Sequence, residues 1–181
     1  MTLVVTLTAC ASDDDDPTSS TEDTPSSPSA SQFVSERHGY HLEVPAGWDV
    51  TEYGGTWTDF AQFSPGAEVP GEDVVSGPDS GAFLVSNSMV IPEGMSPDEW
   101  LAELEGLVGA RTSPGCRGST GTDVVAGEPA RVIGQKCEDM HVVGRSLTHA
   151  GRGYYFTIGF PTGDSATEAT LEGVVDSIGL D

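Results

Sequence analysis

The chain has 181 residues, of which 29 are Asp or Glu and 7 are Lys or Arg, so its formal net charge is −22. Clustered cations are needed to bind a phosphate backbone, and their scarcity excludes a nucleic-acid partner. The apolar fraction of 36% is slightly low for a fully folded chain, and no apolar run is long enough for an ordinary membrane-spanning helix.

The first ten residues resemble a bacterial lipoprotein signal. They end in Leu7-Thr8-Ala9-Cys10, which is similar to the lipobox, where diacylglycerol is attached to the cysteine sulfur and a peptidase then cuts before it. We therefore expect a truncated signal peptide over residues 1–9 and lipidation of Cys10. We expect the true start upstream, because Leu3–Leu7 is a short apolar region that no Lys or Arg precedes. The alternative is an apolar N-terminus with an ordinary cysteine.

Residues 10–32 are predicted to be the lipidated Cys10 followed by a disordered, acidic tether rich in Ser, Thr and Pro. From Ser12 to Ser31 the chain holds one Ala and no larger apolar side chain. Such a segment buries too little surface to offset the entropy of ordering it, although an exposed loop of the domain is the alternative. Residues 33–181 are then a single domain with 23 of the 29 acidic side chains, all 7 basic ones, and a net charge of −16.

The three cysteines support an exported compartment. Assigning Cys10 to a lipid leaves Cys116 and Cys137, and an even remainder in an exported domain predicts one disulfide. The alternatives are two free thiols or a metal-binding pair. The metal alternative is weaker because the chain has no Cys-x-x-Cys and no histidine within a few residues of Cys116.

The sequence of the first half of the domain predicts mainly strands. Alternating apolar and polar residues predict strands over 40–45 and 48–53 around a turn at 46–47, a third strand over 57–63 and a longer one over 82–91. Residues 65–80 are rich in Gly, Pro and acidic residues, which predicts a loop.

A helix follows at Ser96. Ser96 suits the N-cap, Pro97 the first helical position, and Glu99 completes a capping box. Apolar residues then recur at helical spacing up to Gly109, which is a plausible end of the helix.

The second half adds strands and a terminal helix. We expect a loop over 115–122, strands over 127–136, 140–148 and 154–160, and a turn over 150–153. Ser165-x-x-Glu168 is a second capping box, and the apolar residues behind it keep helical spacing (Leu171, Val174, Val175 and Ile178).

Three stretches resemble PsbP-like domains. Residues 39–48, GYHLEVPAGW, are similar to their opening, which small actinobacterial lipoproteins of the LpqN and LpqT type share. Residues 125–130, VAGEPA, resemble a strand start of these domains, and residues 154–161 with the helix after them resemble the closing pattern. The resemblance spans most of residues 37–179.

This resemblance implies an α+β fold, with an antiparallel sheet flanked by helices in a PsbP-like α/β/α sandwich. It also implies membership of a group of mostly non-enzymatic accessory and binding proteins. No functional residue of that group can be carried over to this chain, because the shared motifs are structural.

Catalytic and metal-binding motifs are lacking: the chain has no G-x-S-x-G, no Walker loop and no H-E-x-x-H. We therefore expect no catalytic residue, no metal site and no cofactor. The histidines are expected to be exposed at strand ends, and Glu68, Glu72 and Asp73 to form a solvated acidic face rather than a calcium site.

The aromatic residues provide the only candidate ligand site. Trp48 and Trp100 are expected to be core residues, whereas Trp57 lies among Gly and Thr and is expected to be exposed. Tyr53 and Trp57 are therefore the candidate ligand-binding residues, at one end of the sheet.

Three hypotheses remain: a lipid-anchored binding or accessory module on the extracytoplasmic face of the cell membrane, an exported hydrolase, and a purely structural envelope lipoprotein. For the first we expect a monomer that meets the membrane through the lipid on Cys10 and binds an envelope protein or small ligand. An apolar cavity near Trp57 favours the first hypothesis, and a nucleophile within hydrogen-bond reach of a histidine favours the second. A filled, featureless sandwich favours the third.

Overall fold

The computed structural model describes residues 29–53, 57–60, 72–78, 81–109 and 113–181. The predicted signal peptide, the predicted lipidation residue Cys10 and the predicted tether up to residue 28 lie outside these ranges. The first strand begins at Ser31, two residues before the predicted start of the domain at residue 33.

Ten strands and two helices follow one another along the described chain. They are β1 (Ser31–Ser35), β2 (Tyr40–Val44), β3 (Asp49–Glu52), β4 (Asp73–Ser76), β5 (Phe83–Val90), α1 (Pro97–Gly109), β6 (Arg117–Val125), β7 (Glu128–Lys136), β8 (Met140–His149), β9 (Arg152–Pro161), α2 (Ser165–Asp176) and β10 (Gly179–Leu180). The large sheet is antiparallel throughout and has the strand order β3-β4-β5-β9-β8-β7-β6. A small sheet has the order β1-β2-β10.

The main core lies between one face of the large sheet, the small sheet and α2. Strand β9 shows why: its alternate side chains Tyr154, Phe156, Ile158 and Phe160 are all buried in this core. Leu171, Val174 and Val175 of α2 and Tyr40, Leu42 and Val44 of β2 pack against them. Apolar side chains recur at every second residue of the strand and at every third or fourth residue of the helix. Both sets therefore face the same apolar layer.

A second core lies on the opposite face, under α1. Trp100, Leu101 and Leu104 of the helix pack there with Met89 of β5 and with Trp57. Gly153 makes room for the helix, because a Cβ atom at this position would lie 2.3 Å from the Trp100 ring. With helices on both faces of an antiparallel sheet, the predicted α/β/α sandwich is confirmed.

Both helices begin with a capping side chain. The predicted capping box of α1 is present: the Ser96 hydroxyl accepts from the Glu99 amide at 3.3 Å, and the Glu99 carboxylate accepts from the Ser96 amide at 2.8 Å. In α2 the predicted cap at Ser165 is wrong. Asp164 is the N-cap, because its carboxylate accepts from the Thr167 amide at 3.0 Å and the Thr167 hydroxyl at 2.7 Å.

Several predicted segments differ from the structure. The predicted strand at 57–63 is wrong for its described part, since residues 57–60 are not in a strand. The predicted loops at 65–80 and 115–122 contain β4 and most of β6. β2 and β3 flank the predicted turn but belong to different sheets, so the chain crosses between the two layers there.

Candidate functional site

Buried polar side chains gather where the small sheet packs on the large one. Asp73 of β4 is fully buried, and its carboxylate accepts hydrogen bonds from the hydroxyls of Tyr40 on β2, at 2.9 Å, and Ser35 on β1. The Tyr40 hydroxyl also shares a hydrogen bond with Ser86, which lies opposite Asp73 in the β4–β5 register. Three strands from two sheets therefore meet at the carboxylate, and β5 joins them through Ser86, because buried polar groups need hydrogen-bond partners.

Burial also fixes the protonation state of Tyr40. Removal from water raises the pKa of its hydroxyl well above the ordinary value, and the Asp73 carboxylate beside it raises the pKa further, although the hydrogen bond with Ser86 opposes this. Burial therefore favours the protonated hydroxyl, which donates to Asp73.

A second part of the network surrounds His38. Its Nδ1 shares a hydrogen bond of 2.8 Å with the Ser88 hydroxyl, which also accepts from Nη1 of Arg152 at 2.9 Å. The other ring nitrogen of His38 lies 3.9 Å from Oδ2 of Asp73, so the two parts of the network adjoin. His38 is fully buried, and the prediction that the histidines are exposed is wrong for this residue.

A hydrolase triad consists of a serine next to a histidine that is itself next to an acidic residue. The same residue types adjoin in this spatial order in Ser88, His38 and Asp73. The serine is within hydrogen-bond reach of the histidine, which is the feature expected of the hydrolase hypothesis. All three side chains are fully buried, however, so a substrate carbonyl has no path to the serine in this conformation. The Ser88 oxygen also accepts from a cation, which disfavours its acting as a nucleophile.

Arg37 connects the buried network to the surface. One guanidinium nitrogen lies 3.9 Å from Oδ1 of the buried Asp73, and the other lies 3.8 Å from the exposed Glu52. The guanidinium also donates to the main-chain carbonyl of Tyr53. Because the Arg37 side chain is 29% exposed, a ligand at the surface could contact its guanidinium, which also lies beside the buried Asp73.

A shallow depression surrounds Arg37. It has a volume of about 610 Å³ and is lined by Val34, Glu36, Arg37 and Glu52. Val34 is 50% exposed, and Tyr53, whose carbonyl Arg37 holds, is 54% exposed. We call these five residues, Val34, Glu36, Arg37, Glu52 and Tyr53, the Arg37 face.

The two predicted ligand-binding residues lie in different environments. Tyr53 is exposed and belongs to the Arg37 face. The expected exposure of Trp57 is wrong: only 3% of this residue is accessible, because the indole packs against α1 in the second core. Arg37 and Asp73 were not predicted as site residues, since their contacts join positions 36 residues apart and no local pattern indicates them.

The other acidic and histidine side chains form no metal site in the described ranges. No group of three His, Cys, Asp or Glu ligands occurs there. Of the three residues weighed as a calcium site, Glu68 lies outside the described residues and Asp73 is in the buried network. Glu72 is partly buried, which raises the pKa of its carboxyl group, although a hydrogen bond with Asn87 opposes this.

The structure contains a disulfide between Cys116 and Cys137, whose Cα atoms lie 4.2 Å apart. It joins the residue before β6 to the residue after β7 and so closes the open end of this hairpin. Within the described ranges, neither helix is long and apolar enough to cross a membrane.

Comparison with known proteins identifies the fold. No family model and no curated protein matches the sequence. Among solved structures, cyanobacterial PsbP (CyanoP) from Synechocystis sp. PCC 6803 aligns over 92% of this chain and 100% of its own, with a TM-score of 0.57 and 12% identity. The fold is PsbP-like. Since the identity is so low, the similarity supports the PsbP-like fold alone.

Two further structures align less well. LpqN of Mycobacterium tuberculosis, described as involved in cell envelope biogenesis, aligns over 83% of this chain and 84% of its own, at 14% identity and a TM-score of 0.47. A protein of Bacteroides thetaiotaomicron VPI-5482 aligns over 84% of this chain, which corresponds to 49% of that protein, at 15% identity and a TM-score of 0.45. In this chain the Arg37 face lies at the junction of the two sheets.

Proposed function

We propose that the protein is a lipid-anchored, extracytoplasmic binding or accessory module of the cell envelope, without enzymatic activity. It acts as a monomer that is held to the membrane by the lipid on Cys10. Its contact surface is the Arg37 face, and its partner is a protein or small ligand of the envelope rather than a nucleic acid.

The observation that carries this proposal is the composition of the Arg37 face. An arginine and a tyrosine, the residue types that most often dominate binding energy at interfaces, lie side by side with an exposed valine. Arg37 is held in place by Asp73, Glu52 and the Tyr53 carbonyl, so little conformational entropy is lost when a partner contacts it.

Two observations support the extracytoplasmic location. The lipobox-like sequence ending at Cys10 supplies the lipidation site, and the disulfide is of a kind that persists mainly in oxidising compartments. Two or three acyl chains anchor a protein firmly, since each buried methylene contributes about 0.8 kcal/mol.

A hydrolase is the weaker alternative. The hydrogen bond between Ser88 and His38 favours it, but the burial of both residues and the donation from Arg152 to the serine oppose it. The same contacts are explained by a structural role, since they satisfy polar groups enclosed between two sheets.

Site-specific photo-crosslinking tests the contact surface. A photoreactive phenylalanine derivative is placed at position 53 of the full, membrane-bound chain in native host cells, and crosslinked products are identified by mass spectrometry. The matched control places it at Val90, which is 65% exposed but does not belong to the Arg37 face. We expect a discrete product from position 53 alone, reduced by Val34→Ser. Equal product patterns at both positions would refute the contact surface.

The anchor is tested separately by Cys10→Ala. We expect the wild-type protein to enter the detergent phase on Triton X-114 partitioning and the variant to remain in the aqueous phase. If both partition into detergent equally, Cys10 does not carry the anchor.

A further inference from the structure

The edge of the large sheet at β6 is unusually open. Within the described chain β6 pairs only with β7, and eight of its nine residues are exposed. The opposite edge strand, β3, has four residues, whereas β6 extends over nine, or about 30 Å. It contains no proline, and its middle, Gly118–Thr122, has no charged side chain, so the usual protections of a strand edge are missing there.

Two cations lie at one end of this edge. Arg117 begins β6 and Lys136 ends β7, and the register places them directly opposite each other. Like charges in this position repel, which is unexpected in a chain with 7 cations and 29 acidic residues. Neither side chain forms an ion pair with any residue in the described ranges, whereas Arg37, Arg131 and Arg145 all do.

The two cations border a shallow depression of about 260 Å³, whose other lining residues are Gly115, Cys137 and Glu138. The disulfide restrains one side of this depression, because the lining residue Cys137 is bonded to Cys116, which precedes Arg117. Glu138 borders the depression but forms no ion pair with either cation in the described ranges, so a further carboxylate placed here would relieve the repulsion between Arg117 and Lys136.

We propose that β6 binds an extended peptide segment of a partner protein, which adds to the sheet as an antiparallel strand and places a carboxylate at its C-terminal end beside Arg117, at the end of the sheet that also carries Lys136. The direction follows from the geometry. β6 runs away from Arg117, so an antiparallel strand ends beside it, and antiparallel pairing is the more stable kind.

The remaining residues of β6 indicate which side chains the bound peptide segment should carry. Val124, at the far end of β6, is 65% exposed and would contact an apolar residue near the start of the segment. Ser119, Thr120 and Thr122 present hydroxyls that suit small polar residues between these ends. Main-chain hydrogen bonds supply the affinity, and the two ends determine which sequence is accepted.

The test uses the full chain carrying Cys10→Ala, labelled with ¹⁵N, and the eight-residue peptide acetyl-Val-Thr-Val-Thr-Thr-Thr-Thr-Glu with a free C-terminus, which is long enough to pair with β6 from Val124 to Arg117. We expect millimolar binding, with amide shifts confined to β6 and the adjacent end of β7. The same peptide with Gln in place of Glu and an amidated C-terminus should bind about tenfold more weakly, because two exposed ion pairs are lost.

Variants of Arg117 and Lys136 distinguish a loss of peptide recognition from a loss of folding. Arg117→Gln/Lys136→Gln should weaken binding of the acidic peptide about tenfold, whereas Ala102→Glu/Ala169→Glu, which changes the net charge equally on the exposed helix surfaces, should not. Arg117→Glu/Lys136→Glu should bind an amidated peptide ending in Lys in place of Glu. Recovery of binding by that pair excludes misfolding as the reason for the loss.

The proposal would be overturned by the absence of β6 amide shifts at millimolar peptide, by shifts at the Arg37 face instead, or by equal binding of the acidic and amidated peptides. Concentration-dependent dimerisation through β6, seen by analytical ultracentrifugation, would also overturn it, because the edge would then take a second copy of this chain. This proposal does not depend on the Arg37 face, and crosslinking at position 53 and shifts at β6 report on the two surfaces separately.

Discussion

The hydroxyl of Tyr40 donates to the carboxylate of Asp73 at 2.9 Å, and this contact joins the small sheet to the large one inside the protein. Both residues are fully buried. Hydroxyls from two strands of the small sheet donate to this enclosed carboxylate, and the Arg37 guanidinium lies 3.9 Å from its other oxygen. The two sheets therefore depend on a polar contact as well as on the apolar core around it.

Tyr40→Phe removes this donor and leaves the Asp73 carboxylate underpaired. We expect the free energy of unfolding to fall by about 1–3 kcal/mol, measured by urea denaturation. Tyr154→Phe is the control, since that tyrosine also belongs to the main core but its hydroxyl makes only a long bond of 3.5 Å to the Gly39 carbonyl. Equal effects of the two substitutions would mean that the contact with Asp73 has no special weight.

Ser88→Ala distinguishes a structural serine from a nucleophile. Removing the hydroxyl takes a partner from both His38 and Arg152, so we expect a loss of about 1–2 kcal/mol of stability. We expect p-nitrophenyl acetate to be hydrolysed at the same background rate by wild type, Ser88→Ala and the control Ser86→Ala. Faster hydrolysis by wild type that Ser88→Ala alone abolishes would establish the hydrolase instead.

Elements with strong local signals were predictable from the sequence. The capping box at Ser96 and the alternation from Tyr154 to Phe160 depend on neighbours along the chain, and α1 and β9 were predicted within a few residues. β6 lacked such a signal, because nearly all of its residues are exposed and no alternation of burial marks it. β4 is only four residues long and lies in a stretch whose composition favours a loop.

The candidate site was much less predictable than the fold. The Arg37 face joins β1, the turn after it and the end of β3, and its buried support comes from β4. These contacts arise only when the two sheets pack, so the spacing of the residues gives no indication of them. Tyr53 was predicted because it falls near the same end of the sheet as Trp57, whose neighbouring glycines suggested exposure. That inference from the glycines was wrong, because α1 covers Trp57.

The ion pair between Arg145 and Asp123 makes the free energy of unfolding depend on pH. The arginine is buried between Asp123, at 2.7 Å, and Glu172, at 2.6 Å, and ties α2 to β6 and β8. Its hydrogen bond lowers the pKa of Asp123, although partial burial opposes this. Because the pKa is lower in the folded state, the contribution to stability is complete above the unfolded value of about 4 and is lost as the pH falls further.

We therefore expect Arg145→Met to cost about 2 kcal/mol at pH 7, with a smaller difference from wild type at pH 3. The measurement is urea denaturation of both proteins at the two pH values. Arg131→Met is the control on the other face, where the arginine is more exposed and contacts Glu105 at 3.1 Å, so the expected cost is below about 1 kcal/mol. A difference at pH 3 as large as at pH 7 would contradict the role of Asp123.

Gly153 lets α1 approach the sheet, and a methyl group at this position tests the contact directly. A Cβ atom there would lie 2.3 Å from the Trp100 ring, which is fully buried, so the helix or the sheet would have to shift. We expect Gly153→Ala to lower the free energy of unfolding by about 2 kcal/mol or more, measured by urea denaturation. In Gly173→Ala the new methyl group has no heavy atom within 4 Å and the residue lies within α2, so this control should gain up to about 1 kcal/mol. If Gly153→Ala is as stable as wild type, α1 does not need the close approach that the fold gives it.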